Sequence, residues 1–373
     1  MCIRDRHSTS VSTVSACTAH REWASRPPDE RYSSVHALFE AARARRDRTH
    51  ERRLDLSQVH TVAPTDDSLV LREPFGREAA LTHWSFEQLA GIAGAPPRYL
   101  RTLPASIAAL ALNVGLSRRR REGVQLFAEV DDPWTIHAVT SQRYTRVHHD
   151  ELAGRVVALM EAHPAWHLPL GYKDGVWGAE KVPSGAYLGD RDLFLFLVDG
   201  NRAIDDPTDT SNGGLFRGFI LRNSDVGAAA LSLEMFLFRA VCGNHIIWGL
   251  QHVVGFRRRH VGASIHEAWH DSLTEIAGHL DAGLDADRTR LLRATSQELG
   301  SSRQAVLDTV TQRLDLSQKV AGEAYDVAAT TEPNPRSVWG YVQGLTRLSQ
   351  RLPWQDQRFA LDQAASRLLA TVD

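Results

Sequence analysis

Residues 215–239 read LFRGFILRNSDVGAAALSLEMFLFR, and the reading of this stretch decides the fold. Leu215 to Leu221 is a short run of large apolar and aromatic residues bounded by polar ones, the pattern of a strand. It stops at Asn223-Ser224-Asp225, followed by Gly227. Asn, Ser and Asp side chains bond the local backbone and glycine tolerates positive φ, so a turn is expected there. From Ala229 to Trp248 both alternating faces are largely apolar, as in central strands, with Glu234, Arg239 and Gly243-Asn244 as interruptions. Buried charges need partners, so Glu234 and Arg239 are expected to pair across the sheet.

Outward from this centre, Asp192 to Val198 reads as another strand, and the Gly/Asn/Asp/Thr-rich stretch from Asp199 to Gly214 as a long polar loop. Val124–Val130 and Trp134–Val139 flank Asp131-Asp132-Pro133, a hairpin signal, with Arg143-Tyr144-Thr145-Arg146 extending the second arm. Asp150 is placed to cap a helix on which Leu152, Val156, Leu159 and Met160 share a face. Leu81 to Leu103 reads as two short helices: Ser85 with Gln88 forms a capping box, Gly94 supplies a stop, and Pro96-Pro97 opens the second. This outline is that of a helix-turn-helix, but Pro104 ends the second helix early, short for one that lies in a major groove. Beyond Gly262 the pattern is helical, with Ser337 ahead of Val338, Tyr341, Val342, Leu345 and Leu348, and a last amphipathic helix ending near Leu369. The expected fold is α+β: an antiparallel or mixed sheet with packed helices from about Leu69 to Gly262, followed by a helical C-terminal region.

The expected division is residues 1–56 as a disordered or helical tail, 57–263 as the α+β core and 264–373 as the helical region. Within the tail, Val35, Leu38, Phe39 and Ala42 recur at helical spacing, and Arg43 to Arg53 continues as a charged, solvated helix or linker. Met1-Cys2-Ile3-Arg4-Asp5-Arg6 matches the in-frame translation of a common transposon-end sequencing adapter. These residues are therefore expected not to be native, with the true start elsewhere.

Composition narrows the function. The net charge of −2 over 373 residues excludes a uniformly basic nucleic-acid binder, so any phosphate-binding face must come from local clustering. Cys2, Cys17 and Cys242 suggest neither a disulfide framework nor a cysteine zinc site, which points to a reducing, cytoplasmic setting. No apolar run approaches the roughly 20 residues that span a bilayer, so no membrane partner is expected. No cofactor is required.

Clustering is present. Between Arg217 and Gly262 stand six arginines against only Asp225 and Glu234, a local excess of four positive charges. Arg257-Arg258-Arg259 beside His260 sets three guanidinium groups in succession, the side chain best suited to bidentate phosphate contact. Arg118 to Arg121 is a second cluster. Phe219, Trp248 and Phe256 offer stacking surfaces of the kind single-strand binders use. Three other readings compete. Ser224 with Asp225, or Cys242 near His245, supplies a nucleophile, although no base is placed by spacing. His266-Glu267-Ala268-Trp269-His270 matches H-E-x-x-H, which sets two zinc ligands on one helical face with a glutamate to activate water. Trp269 is bulky for that motif, and Glu275 or Glu298 is the candidate third ligand.

The segments Arg217-Gly218-Phe219, Asn223-Ser224-Asp225-Val226-Gly227, Cys242-Gly243-Asn244 and Phe256 through Gly262 resemble, in order and spacing, the phage/plasmid-like family of domain of unknown function 932. Pro96-Pro97-Arg98-Tyr99, Ser141-Gln142-Arg143-Tyr144 and Trp339-Gly340 with Thr346 are similar to further landmarks, so the resemblance runs from about residue 57 onward. The chain departs from it at His245, where Gly is frequent, and at Gln343, where Asn is common. The resemblance implies residence on mobile genetic elements and brings no established activity. The resulting expectation is a nucleic-acid-associated accessory protein, more binder than enzyme, contacting single strands through Arg217, Arg222, Asn223, Arg239, Asn244, Arg257, Arg258, Arg259 and His260. The alternatives are a metal-dependent hydrolase built on His266, Glu267 and His270, and a protein-interaction or assembly factor. Homo-oligomerisation is left open.

Overall fold

Two sheets rather than one carry the α+β architecture. The computed structural model describes residues 23–119, 122–130, 133–169, 172–173, 176–177, 185–206, 208, 214–239, 244–247, 256–262, 264–280 and 283–372. Its contacts divide the chain into two units, each discontinuous in sequence: residues 1–27 with 48–142, and 28–47 with 143–373.

Strand β1 (Glu30–Tyr32) and all but the last residue of helix α1 (Val35–Arg48) belong to the second unit. The first unit contains β2 (Thr49–Asp55), β3 (His60–Thr65), β4 (Ser68–Arg72), β5 (Glu78–Leu81), α2 (His83–Ala93), α3 (Pro97–Leu100), α4 (Ala105–Ser117), β6 (Gly123–Glu129) and β7 (Thr135–Ser141). Its six strands run in the order β2-β6-β7-β5-β4-β3, antiparallel except for the parallel β5–β7 pair. Leu71, Leu126 and Ile136 from the strands meet Phe86, Leu89 and Leu112 from the helices in its core. The cap of α2 is Thr82, whose hydroxyl accepts from the Ser85 amide at 3.1 Å. Gln88, expected in a capping box, instead accepts from the Val139 amide at 2.8 Å and ties the helix to β7. Gly94 ends α2 at φ 69°, as expected, but α3 is a single turn and leaves no recognition helix. Helix α4 was not foreseen, because no polar residue alternates with its apolar ones strongly enough to mark a face. Asn113 on α4 accepts from the Thr61 amide at 2.8 Å.

The second unit continues with α5 (His149–Ala162), β8 (Trp166–His167), β9 (Tyr172–Lys173), β10 (Val176–Trp177), β11 (Ala186–Leu188), β12 (Leu193–Ile204), β13 (Leu215–Asn223), β14 (Leu231–Arg239), β15 (Asn244–Ile247) and β16 (Phe256–Arg258). Helices α6 (Ile265–Leu280), α7 (Asp285–Ser296), α8 (Arg303–Leu314), α9 (Gln318–Thr331), α10 (Val338–Ser349) and α11 (Gln355–Leu369) complete it. The sheet order is β1-β11-β12-β13-β14-β15, with β16 also on β14 and β8 on β12, all antiparallel; β9 and β10 form a separate ribbon.

Several sequence expectations shift. Residues 30–56, read as a tail, supply β1 on β11, the buried Val35, Leu38 and Ala42 of α1, and β2 on β6. Charged residues on a sheet edge resemble a solvated helix in composition, which is why β2 was misread. The hairpin of β6 and β7 forms, although its tip at 131–132 lies outside the described residues. Strand β7 ends at Ser141, and Tyr144 instead makes an isolated bridge to Val261 within the second unit. His148, not Asp150, occupies the N-cap of α5, with Asp150 in its first turn, where a carboxylate favours the helix dipole. Strand β12 runs on to Ile204 across a bulge between Val198 and Ala203, shortening the expected loop.

Strand alternation then sorts the arginines. Side chains two apart share a face, so Leu215, Arg217, Phe219 and Leu221 of β13 lie with Arg239, Leu237, Met235 and Leu233 of β14. This first face is covered at one end by Leu38, Leu152, Trp269 and Ile276, and at the other by Trp339 and Tyr341 around Leu215 and Leu237. The opposite face carries Phe194, Phe196, Phe216, Phe236 and Phe238, joined by Phe359 of α11. Arg222, Ser232, Glu234 and Arg257 stand on that second face by register.

Candidate functional site

The nine residues read as a nucleic-acid contact set do not converge. Arg217 is buried, donates from Nε to Asp287 at 2.6 Å and reaches the Gly283 carbonyl at 2.8 Å. Arg239 is also buried: its Nη1 donates to Glu332 at 2.7 Å, and its Nε sits 2.6 Å from Asp206 in a close ion pair without hydrogen-bond alignment. Both are structural cations of the first face. Glu234 and Arg239 do not pair, because an odd separation along one strand sends them to opposite faces. Asn223 is fully buried and donates from Nδ2 to the Val147 carbonyl at 2.8 Å. Asn244 aligns with Arg239 in the β14–β15 register, and its side chain lies outside the described residues, as do Cys242 and Trp248. Phe219 and Phe256 are core residues and offer no stacking surface.

What does converge is Arg222, Arg257, Arg259 and His260. They line an open groove of about 410 Å³ on the second face, with Glu234 on its floor and Gln363 of α11 on its wall. Only alternate members of the Arg257-Arg258-Arg259 run reach it. Arg258 aligns with Leu231 on the other face, its guanidinium 6.0 Å from the Phe256 ring. Arg257 and Arg259 are exposed, and among the described residues neither guanidinium group makes a hydrogen bond or ion pair. Arg222 is held between aromatic rings, 5.0 Å from the Phe194 centroid and 5.3 Å from that of Phe359. Its Nη2 lies 3.4 Å from Asp192, while its buried Nε has no hydrogen-bond partner.

His260 connects the groove to the turn behind it. Its ring is buried and stacks on Tyr144 at 5.0 Å, and its Nδ1 donates to the Thr145 carbonyl at 3.1 Å. That bond fixes the Nδ1–H tautomer and leaves Nε2 as a bare acceptor. Burial lowers the ring's pKa to about 4, so it is neutral at pH 7. Tyr144 donates to the Ser224 carbonyl at 2.6 Å, and Arg146 donates to the Asp225 carbonyl. The Asp225 amide donates to His149 Nε2 at 3.2 Å, and Ser224 Oγ accepts from the Ala228 amide at 2.8 Å. Gly227 takes φ 83°, the conformation expected of this turn. The Asn-Ser-Asp segment thus acts as architecture, clamped to residues 144–149.

Glu234 faces the groove in a half-buried setting. Burial raises its pKa, against a hydrogen bond from Gln363 and the positive charge of Arg257. Gln363 Nε2 reaches its two oxygens at 3.3 and 3.5 Å. Gln363 and Phe359 went unrecognised in the sequence, where Tyr144 was read as a strand extension and a family landmark rather than as a groove residue. Phe359 had a trace there, since a sheet face rich in phenylalanine needs an apolar helix over it. Gln363, one turn further along α11, had none.

The H-E-x-x-H helix forms as part of α6, but Trp269 at its centre is a core residue. His266 Nδ1 lies 3.3 Å from Glu151, and the His270 ring stacks on Trp269 at 4.4 Å. Among the described residues, no group of three or more His, Cys, Asp or Glu side chains is arranged to hold a metal ion. No helix among them is long and apolar enough to cross a membrane. Comparison with protein-family models, curated proteins and solved structures returned no match.

Proposed function

We propose that this chain is a nucleic-acid-associated accessory protein of a phage, plasmid or integrated element, and that it contacts phosphate through the groove at Arg257 and Arg259. The observation that carries this reading is the pair of exposed guanidinium groups, free of ion pairs among the described residues, at the mouth of a concave site also lined by Arg222. Guanidinium groups already locked to carboxylates, such as Arg217 and Arg239, have their charge spent within the fold. Those at Arg257 and Arg259 remain available for charge-assisted bonds to phosphate oxygens. The resemblance to the phage/plasmid-like family supports the mobile-element setting. The groove's openness at the surface suits a flexible single strand better than a rigid duplex.

Fluorescence anisotropy with labelled single- and double-stranded oligonucleotides tests the reading. Affinity is expected to fall steeply with salt, because each neutralised phosphate releases condensed counterions. Replacing Arg257 and Arg259 together by Ala is expected to abolish most of it. Salt-independent binding, or binding untouched by the double replacement in a folded protein, overturns the proposal.

A further inference from the structure

We infer that the outer face of α4 is a self-association surface, on which a second copy of this chain packs its own α4 antiparallel across a two-fold axis. The inference concerns the first unit and does not rest on the phosphate groove, which belongs to the second. Residues 105–117 read ASIAALALNVGLS and contain no charged side chain. One side of this helix is given to the core through Ala105, Ala108, Leu112 and Leu116. The other carries Ile107, Leu110 and Val114, which are 49%, 62% and 49% exposed. A helix that is apolar on both sides has the composition of an interior element, and here one side lies at the surface.

Positions 107, 110, 111 and 114 follow the i, i+3, i+4, i+7 spacing and form a single stripe along the helix. Among the described residues six large apolar side chains are exposed, and three of them stand in this stripe. Singly scattered apolar residues are ordinary on a surface, whereas an aligned group marks an interaction site. Ala111, also in the stripe, is small enough to let a neighbouring helix approach closely.

Charge decides the occupant. Asp66 and Asp67, in the turn between β3 and β4, are exposed, and the Asp66 carbonyl accepts from the Ala105 amide at 3.0 Å, which fixes this turn at the N-terminal end of α4. Both aspartates line one concavity with Ser106 and Ile107. Arg101 in the same concavity is already tied to Glu87 at 3.0 Å. At the opposite end Arg118 and Arg119 are exposed, and the sequence continues with Arg120-Arg121 before Glu122. Arg119 lies 3.6 Å from Glu122, while the Arg118 guanidinium makes no hydrogen bond or ion pair among the described residues. The face is therefore apolar along its length, acidic at one end and basic at the other. A parallel copy would bring like charges together. An antiparallel copy sets the arginine end of each helix beside the aspartate end of the other, twice over, as a self-complementary two-fold interface requires. Centred on Leu110 and Ala111, the same arrangement lays Ile107 of one protomer against Val114 of the other. A contact of one helix per protomer falls below the roughly 1,200 Å² at which standard interfaces begin, so the dimer is expected to be weak and reversible.

Sedimentation velocity on the full chain over a concentration series tests this. A monomer–dimer equilibrium is expected, and Leu110→Glu is expected to weaken it by roughly tenfold or more, because each contact would then bury unpaired carboxylates. The thermal midpoint of that variant is expected to stay unchanged, since Leu110 lies on the surface. Arg118→Asp and Asp66→Arg are each expected to weaken the dimer, and the two together to restore it, because reversing both ends re-creates the attraction across an antiparallel pair. The unaltered chain and the charge exchange decide the matter even if Leu110→Glu does not fold. A chain that stays monomeric at the highest concentration its solubility allows overturns the inference. So does a dimer indifferent to Leu110→Glu, whose interface must lie elsewhere, and so does a charge exchange that fails to restore association.

Discussion

Arg217 Nε and Asp287 Oδ2 lie 2.6 Å apart with both side chains buried, so an arginine that the sequence offers as a phosphate contact is an internal strut between β13 and α7. Removing one partner of a buried pair leaves the other charge uncompensated, at a cost of about 3–5 kcal/mol. Arg217→Ala and Asp287→Ala are each expected to lower unfolding free energy by that order in chemical denaturation. A loss under 1 kcal/mol for both would show that the pair is solvated in solution.

Arg257 and Arg259 should behave in the opposite way. Surface substitutions away from packed or networked positions stay within about 0.5 kcal/mol. Each single alanine replacement is therefore expected to leave the denaturation midpoint nearly unchanged while reducing the salt slope of oligonucleotide binding by about one. A large stability loss at either position would assign it to the fold.

Stability should fall on mild acidification. His149 and His260 both have pKa values lowered by burial to about 4, against about 6.5 when unfolded. Between those values the unfolded chain binds more protons than the folded one. Their contribution is thus complete above pH 6.5 and drains away as pH falls toward 4. Each contributes on the order of 2–3 kcal/mol at neutral pH. Denaturation at pH 7, 6 and 5 isolates this slope from most carboxylates, and a flat profile across that range would refute the buried neutral state.

Asp362 on α11 runs the other way. It is buried, its carboxyl accepts from Ser349 Oγ at 2.7 Å, and burial pushes its pKa up to about 8. In the unfolded chain it ionises near pH 4, so its stabilising influence is lost as pH rises toward 8. Asp362→Asn keeps the shape without the charge and is expected to raise unfolding free energy at pH 8 by on the order of 1–3 kcal/mol, with little gain at pH 4. A destabilised variant at pH 8 would contradict the assignment.

Gly218 sits mid-strand in β13, where a Cβ would collide with the Leu197 carbonyl and the Phe236 ring. The carbonyl is backbone and cannot swing aside. Gly218→Ala is expected to cost at least 1–3 kcal/mol, the range of core overpacking, detected as a lowered thermal midpoint. Near-neutral behaviour would mean that β12 and β13 can separate locally.

The α+β class was legible because its signals are local. The apolar run at 215–221, the turn at Asn223-Ser224-Asp225 and the Ser337 cap each declare themselves within a few residues and form where expected, and β14 forms within the broader central-strand pattern read from Ala229 to Trp248. The edge strand β2 and helix α4 were missed for the converse reason. One owes its charged residues to a sheet edge, and the other shows exposed Ile107, Leu110 and Val114 on the face that periodicity expects to be polar. The two-unit division was also invisible, since each unit is assembled from segments distant along the chain.

By itself the sequence determined that strands, turns and capped helices occur in this chain and that positive charge gathers between Arg217 and Gly262, because propensity, capping and composition are properties of neighbouring residues. Which arginines keep their charge for a ligand was decided only by the tertiary structure. Asp287, Asp206 and Glu332 neutralise Arg217 and Arg239 from helices and loops far along the chain, while strand alternation turns Arg257 toward the groove and Arg258 away from it. Glu234 and Gln363, 129 residues apart, meet for the same reason: a carboxylate on a strand and an amide on the last helix become neighbours only when that helix packs over the sheet.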